Sequence, residues 1–209
     1  MSKSMSIGFL FFVLLYMVAL HYAVVFLWFL KIIPIAILAA GVLRTESRSI
    51  RTILLWALVF SGCGDLLLAF DMFLFGVSAF LLAQFSYALL FKHYWQGIYN
   101  RWLLSVLLII YILAMVWLLI PNLGNFQIPV MVYLMVIAVM GLLAFQSYLP
   151  MCWAVLGAVL FIISDSIIAM NTFINPIPYE SYWIMSSYYV AQFMLVTGFL
   201  NSVKWDADT

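Results

Sequence analysis

The stretch Phe60-Ser61-Gly62-Cys63-Gly64-Asp65-Leu66-Leu67-Leu68-Ala69-Phe70-Asp71-Met72-Phe73 sets a carboxylate, Asp65, inside a run of apolar residues. An ionised carboxylate in such surroundings is costly, so the chain must supply a partner or keep the group protonated. The arrangement returns about one hundred residues later in Phe161-Ile162-Ile163-Ser164-Asp165-Ser166-Ile167-Ile168-Ala169-Met170-Asn171-Thr172-Phe173. Asp65 aligns with Asp165, Ala69 with Ala169, Asp71 with Asn171 and Phe73 with Phe173. Further on, Ala83-Gln84-Phe85 matches Ala191-Gln192-Phe193 once a longer second loop is allowed for. The spacing predicts a parallel internal repeat of four helices, residues 1–97 and 98–209, within one bundle. Its pseudo-two-fold axis would run along the membrane normal and give the two aspartates equivalent places.

Composition fixes the class. Of 209 residues, 69% are hydrophobic and 7% charged, whereas soluble domains are nearer 45–50% apolar and roughly 25% charged. The chain is therefore expected to be an all-α integral membrane protein. Long continuous apolar runs exclude the alternating pattern of a membrane β-barrel. A net charge of +1 leaves no footprint for nucleic acid. The apolar run after Lys3, from Ile7 to about Val25, is too long for a signal peptide and is expected to be the first spanning helix.

Eight spanning segments fit, at about 6–25, 27–43, 50–70, 74–92, 102–120, 127–147, 150–171 and 181–203. Pro121-Asn122-Leu123-Gly124-Asn125 and Asn175-Pro176-Ile177-Pro178 form turns between them. With both termini cytoplasmic, Lys3, Arg44, Arg48, Arg51, Lys92, Arg101 and Lys204 all fall at the cytoplasmic face, and Lys31 is the exception. That is the positive-inside pattern. Trp28, Tyr94, Trp95, Trp102, Tyr182, Trp183 and Trp205 are expected in the interfacial aromatic belts. The connections are short, so function must lie within the bundle or at its rim.

Lys31, Asp65 and Asp165 remain inside helices, all at comparable depth in the outer half of the membrane. Two carboxylates sharing a site of low dielectric do not both ionise readily, particularly with Lys31 near one of them. One then holds a proton while the other stays charged, which is the equipment for acid–base hydrolysis. The competing reading is a buried ion pair that only packs helices, but such pairs stabilise poorly relative to apolar packing. Ser61 lies one turn before Asp65, and Ser164 and Ser166 flank Asp165. Gln84, Tyr87, Tyr133, Tyr188, Tyr189 and Gln192 are further polar groups within helices. Each could bond a lipid head group or orient a carboxylate; ordinary interhelix bonding is the alternative. Gly62, Gly64 and Gly157 are expected to permit close helix approach.

Cys63 and Cys152 fall near opposite membrane faces and are not expected to pair. His21 and His93 sit near helix ends as interfacial side chains. The sequence contains no HExxH, no GxSxG and no Gly-rich phosphate loop, so neither a zinc protease nor a serine hydrolase is indicated. No metal or other cofactor is expected.

Over essentially its whole length the chain resembles the YhhN family of lysoplasmalogenase-like membrane proteins. The resemblance is carried by Lys31-Ile32-Ile33-Pro34, Gly64-Asp65-Leu66-Leu67-Leu68, Ala83-Gln84-Phe85-Ser86-Tyr87, the segment Gly157 to Ala169 around Ser164-Asp165-Ser166, and Tyr188-Tyr189-Val190-Ala191-Gln192. In the family pattern lysine directly precedes proline; here two isoleucines intervene, which displaces Lys31 around its helix. The basic residue often found late in the sixth helix is missing from Met140 to Gln146. The resemblance implies hydrolysis of the vinyl ether bond of lysoplasmalogens, lysoplasmenylcholine and lysoplasmenylethanolamine. The products are a fatty aldehyde and glycerophosphocholine or glycerophosphoethanolamine. The expected catalytic residues are Asp65 and Asp165. Lys31, Ser61, Gln84, Tyr87, Tyr133, Ser164, Tyr188, Tyr189 and Gln192 are expected to bind substrate. The expected partners are a lysophospholipid substrate and membrane lipids, with no obligate protein partner, and the expected location is the bacterial inner membrane. A small proton-coupled transporter is the rival class, since few buried charges and a parallel repeat also suit a carrier.

Overall fold

The computed structural model describes residues 3–22, 24–97 and 101–208, with side chains as far as Ser202. The described residues form eight α-helices: α1 (Lys3–His21), α2 (Leu27–Val42), α3 (Arg48–Ala69), α4 (Phe73–His93), α5 (Trp102–Leu119), α6 (Gln127–Phe145), α7 (Met151–Phe173) and α8 (Glu180–Asp208). Among the described residues there is no β-strand, only an isolated bridge between Trp95 and Ser147. Each expected segment appears within a few residues of its expected bounds. Lys204 and Trp205, assigned to the cytoplasmic interface, and the boundary proposed between residues 97 and 98 lie partly or wholly outside what is described.

Seven of these helices are long and apolar enough to cross a membrane, and the protein is an integral multi-pass membrane protein. α2 is shorter, at 16 residues, or about 24 Å at the helical rise. Pro34 lies inside it and cannot donate to the carbonyl one turn earlier.

The chain divides into two compact units, residues 1–86 with 196–209, and residues 87–195. In the first, α1 packs on α2 and α2 on α3. The buried side of α3 runs through Leu54, Leu58, Ser61 and Asp65, a single stripe at helical spacing. Gly64 permits a close crossing of α4, for a Cβ there would lie 2.6 Å from the Phe80 ring. Gly62 is different: a Cβ would meet only Ile35, at an ordinary 3.9 Å. α3 ends in a Schellman turn. Met72 N donates to Leu67 O (2.9 Å) and Asp71 N to Leu68 O (3.2 Å), with Asp71 in the left-handed region at φ 57°. Aspartate is among the few side chains that tolerate that conformation.

In the second unit, α5, α6 and α7 pack on one another. Met115, Leu119, Leu123, Val130 and Leu134 form a dry cluster, closed by Ala169, Met170 and Phe173 of α7. Gly157 lets α8 come close, since a Cβ there would lie 2.8 Å from the Leu195 side chain. At the other end of these helices, two connections dock together. Gln96 N donates to Gln146 O and Tyr148 N to Tyr94 O, both at 3.0 Å. Tyr94, expected at the interface, is instead fully buried, with its ring 5.1 Å from that of Tyr148. Arg101, at the start of α5, donates to the carbonyls of Phe145 (3.3 Å), Ser147 (3.4 Å) and Leu149 (3.2 Å). Its guanidinium thereby serves the last carbonyl of α6 and two carbonyls of the connection beyond it, and its charge faces the negative end of that helix.

Arg101→Ala should lower unfolding stability in detergent by about 1–2 kcal/mol. Arg101→Lys should recover less than half of it, because an ammonium cannot fork across three carbonyls. Thermal unfolding of the two variants beside the parent reads the difference.

Candidate functional site

Asp65 is the eighteenth residue of α3, one turn before its end at Ala69. Leu66, Leu67 and Leu68 follow it directly in the last turn of the helix. Its side chain is 2% exposed, and Lys31 Nζ lies 3.2 Å from Oδ1. Lys31 is the fifth residue of α2 and is itself only 14% exposed. The two isoleucines between Lys31 and Pro34 do not keep the ammonium from the carboxylate. A butylammonium stem is long enough to correct a displacement around the helix. Ser61 is fully buried one turn before Asp65 on the same stripe, and Gln84 is fully buried on α4.

Asp165 lies in the second unit, on α7, half-buried. Its partner is a phenol. Tyr133 Oη of α6 donates to Asp165 Oδ2 at 2.5 Å. Tyr133 is the seventh residue of α6, so in each unit the helix preceding the aspartate helix delivers the partner from its first two turns. One partner is a cation, and the other is a neutral hydrogen-bond donor.

Other polar groups of the second unit lock helices together. Tyr87 and Gln192 are fully buried and joined by a 2.5 Å bond from the phenol to Oε1. The Tyr87 ring packs edge-on to Phe161 (6.2 Å) and Phe161 edge-on to Tyr188 (5.5 Å), with Tyr189 next to Tyr188 (5.5 Å). Ser164 Oγ donates to Ile184 O of α8 at 3.1 Å. Thus Tyr133 and Asp165 come together, as do Tyr87, Tyr188, Tyr189 and Gln192, while Lys31, Asp65, Ser61 and Gln84 belong to the first unit. Sequence reasoning did not single out Tyr111 of α5, whose hydroxyl donates to Ser166 Oγ at 2.7 Å. A lone tyrosine in the most apolar helix carries no spacing signal. His21 and His93 are exposed in the last turns of α1 and α4. Cys63 and Cys152 are free thiols.

A carboxylate with an ammonium at contact distance is suited to accept a proton or steady a cation. The phenol beside Asp165 supplies a hydrogen bond and no charge. The two environments are chemically unequal.

Comparison with known proteins places the chain in a family. The YhhN family profile matches residues 26–199. The chain is 33% identical over 171 residues to a Mycobacterium bovis protein named lysoplasmalogenase, an alignment covering 77% of this chain and 65% of that protein. It is also 33% identical over 174 residues to lysoplasmalogenase TMEM86A of Bos taurus, covering 78% of this chain and 70% of that one. A shorter stretch of 46 residues is 50% identical to human lysoplasmalogenase TMEM86A, covering 22% of this chain and 19% of that protein. The chain thus spans slightly less than two thirds of the mycobacterial relative's length. No solved structure matches it.

Lys31→Met should destabilise the protein by about 3 kcal/mol or more, because it leaves a buried carboxylate without its counter-charge. Adding Asp65→Asn should restore most of that loss, since an amide needs no cation. Denaturation of both variants in detergent tests the coupling; equal losses in the single and double variants would show that the ion pair does not carry the packing.

Proposed function

Because this chain belongs to the YhhN family, we propose that it is a lysoplasmalogenase. It would cleave the vinyl ether bond of lysoplasmenylcholine or lysoplasmenylethanolamine to a fatty aldehyde and the glycerophospho-alcohol. The observation that carries this reading is its 33% identity, over about three quarters of its length, to proteins of that name. The chemistry available on α3 and α7 supports it.

A vinyl ether is cleaved by protonation of its β-carbon, which moves the π electrons and leaves an oxocarbenium ion at the carbon bearing oxygen. Water adds there and loses a proton, and the resulting hemiacetal collapses, with the C–O bond to the glycerol oxygen breaking as that oxygen gains a proton. In the proposed mechanism Asp65 and Asp165 supply these proton movements. One carboxyl group, neutral, protonates carbon. The other, ionised, steadies the cation and takes the proton of the attacking water, as paired carboxylates do in glycoside hydrolysis. Lys31 keeps Asp65 charged in the resting protein or meets the lipid phosphate. Ser61, Gln84, Tyr87, Ser164, Tyr188, Tyr189 and Gln192 are proposed to shape the passage for a single-chain lipid. Residence in a bacterial inner membrane belongs to the same proposal.

Purified protein in detergent should release long-chain aldehyde from lysoplasmenylcholine or lysoplasmenylethanolamine and leave the ester-linked analogues intact. Asp65→Asn and Asp165→Asn should each lower kcat by about 10²- to 10⁴-fold with folding preserved. Release of no aldehyde by well-folded parent protein would refute the assignment, and full turnover by either Asn variant would remove that aspartate from the mechanism.

A further inference from the structure

Three consecutive residues of α7 are each tied to a different neighbouring helix. Ser164 Oγ donates to Ile184 O of α8 at 3.1 Å. Tyr133 of α6 donates to Asp165 Oδ2 at 2.5 Å. Tyr111 of α5 donates to Ser166 Oγ at 2.7 Å, and that hydroxyl donates back to Ile162 O at 2.7 Å. The two serine bonds fix the height and rotation of α7, yet neither reaches the carboxyl group. An aspartate still turns about two side-chain torsions, and the second of them is broad. The Tyr133 bond bears on that torsion.

We propose that Tyr133 is a positioning residue for Asp165 rather than a contact for the lipid head group. Its O–H donates to Oδ2 and helps to set the plane of the carboxyl group that exchanges the proton with the reacting lipid or water. The phenol keeps its own proton throughout. Whether the carboxyl group gives a proton to carbon or receives one from water, the transfer is completed at Asp165. Tyrosine suits the task because a rigid ring on a helix holds its hydroxyl with few torsions to freeze. The dry cluster of Val130 and Leu134, on either side of Tyr133 in α6, fixes the base of that ring's helix. This inference rests on the hydrolytic function proposed above.

The test sets Tyr133→Phe beside Tyr111→Phe in the full-length protein, with Asp165→Asn as reference. Each Phe variant removes one hydroxyl and one interhelix bond to α7, so the structural cost is similar and is read from thermal unfolding. Turnover of lysoplasmenylcholine is then followed as kcat and KM separately. Tyr133→Phe should lower kcat by about 10- to 100-fold with KM changed less than about twofold, while Tyr111→Phe keeps kcat within about threefold of the parent. A raised KM with unchanged kcat in Tyr133→Phe would make it a substrate contact and overturn the proposal. So would equal kcat losses in the two Phe variants, which would leave Tyr133 a packing residue. Those two results with an inactive Asp165→Asn leave the hydrolase reading standing; an active Asp165→Asn overturns the positioning role together with the catalytic role of Asp165.

Discussion

A carboxylate among hydrocarbon side chains must be neutralised or hydrogen-bonded, and much of this protein's interior is arranged around meeting that demand twice. In α3 the demand is met by charge, with Lys31 reaching Asp65 from α2 at 3.2 Å. In α7 it is met by a phenol, with Tyr133 reaching Asp165 from α6 at 2.5 Å. The apolar side chains around each pair raise the penalty for losing the partner, so the same burial that makes the groups costly also holds them in place. The two carboxyl groups thus have different surroundings, a cation beside one and a phenol beside the other.

The helices were legible because a membrane span leaves a signature that tertiary packing seldom overrides: about 20 apolar residues with no water to satisfy the backbone. Turn-forming residues such as Pro121, Gly124 and Pro176 then marked the ends. Finer features escaped for physical reasons. Asp71 looked like the counterpart of Asn171, but it stops α3 by adopting the left-handed conformation. Asn171, by contrast, sits within α7 and accepts the Ile177 N–H at 2.8 Å. As a result α7 continues eight residues beyond its aspartate, whereas α3 continues four. Tyr94 was read as an interfacial ring because it lies near a helix end. It is buried because the connection that follows it folds back onto the one after α6.

The site was legible to the extent that its groups carry charge. Lys31, Asp65 and Asp165 stand out in any apolar helix, but one cation at the level of two acids leaves its partner open in the sequence, and the structure pairs it with Asp65. Neutral partners are harder to find in a sequence. Tyr133 was one of six Gln and Tyr side chains within helices that could orient a carboxylate or bond a head group, and nothing in its spacing separated it from Tyr87 or Tyr188. Only the packing of α6 on α7 does so. Tyr111 gave no signal at all, since its partner is a serine hydroxyl that becomes visible only in three dimensions.

The central claim is that a fixed carboxyl group within this bundle protonates the vinyl ether at carbon. Hydrolysis of lysoplasmenylcholine in D2O, with immediate trapping of the aldehyde, tests it most directly. An enzyme-held acid predicts one deuterium on the carbon next to the carbonyl, in a single configuration, because the proton comes from one side of the lipid. Aldehyde without deuterium at that carbon, or with the label distributed equally over both configurations, would contradict it.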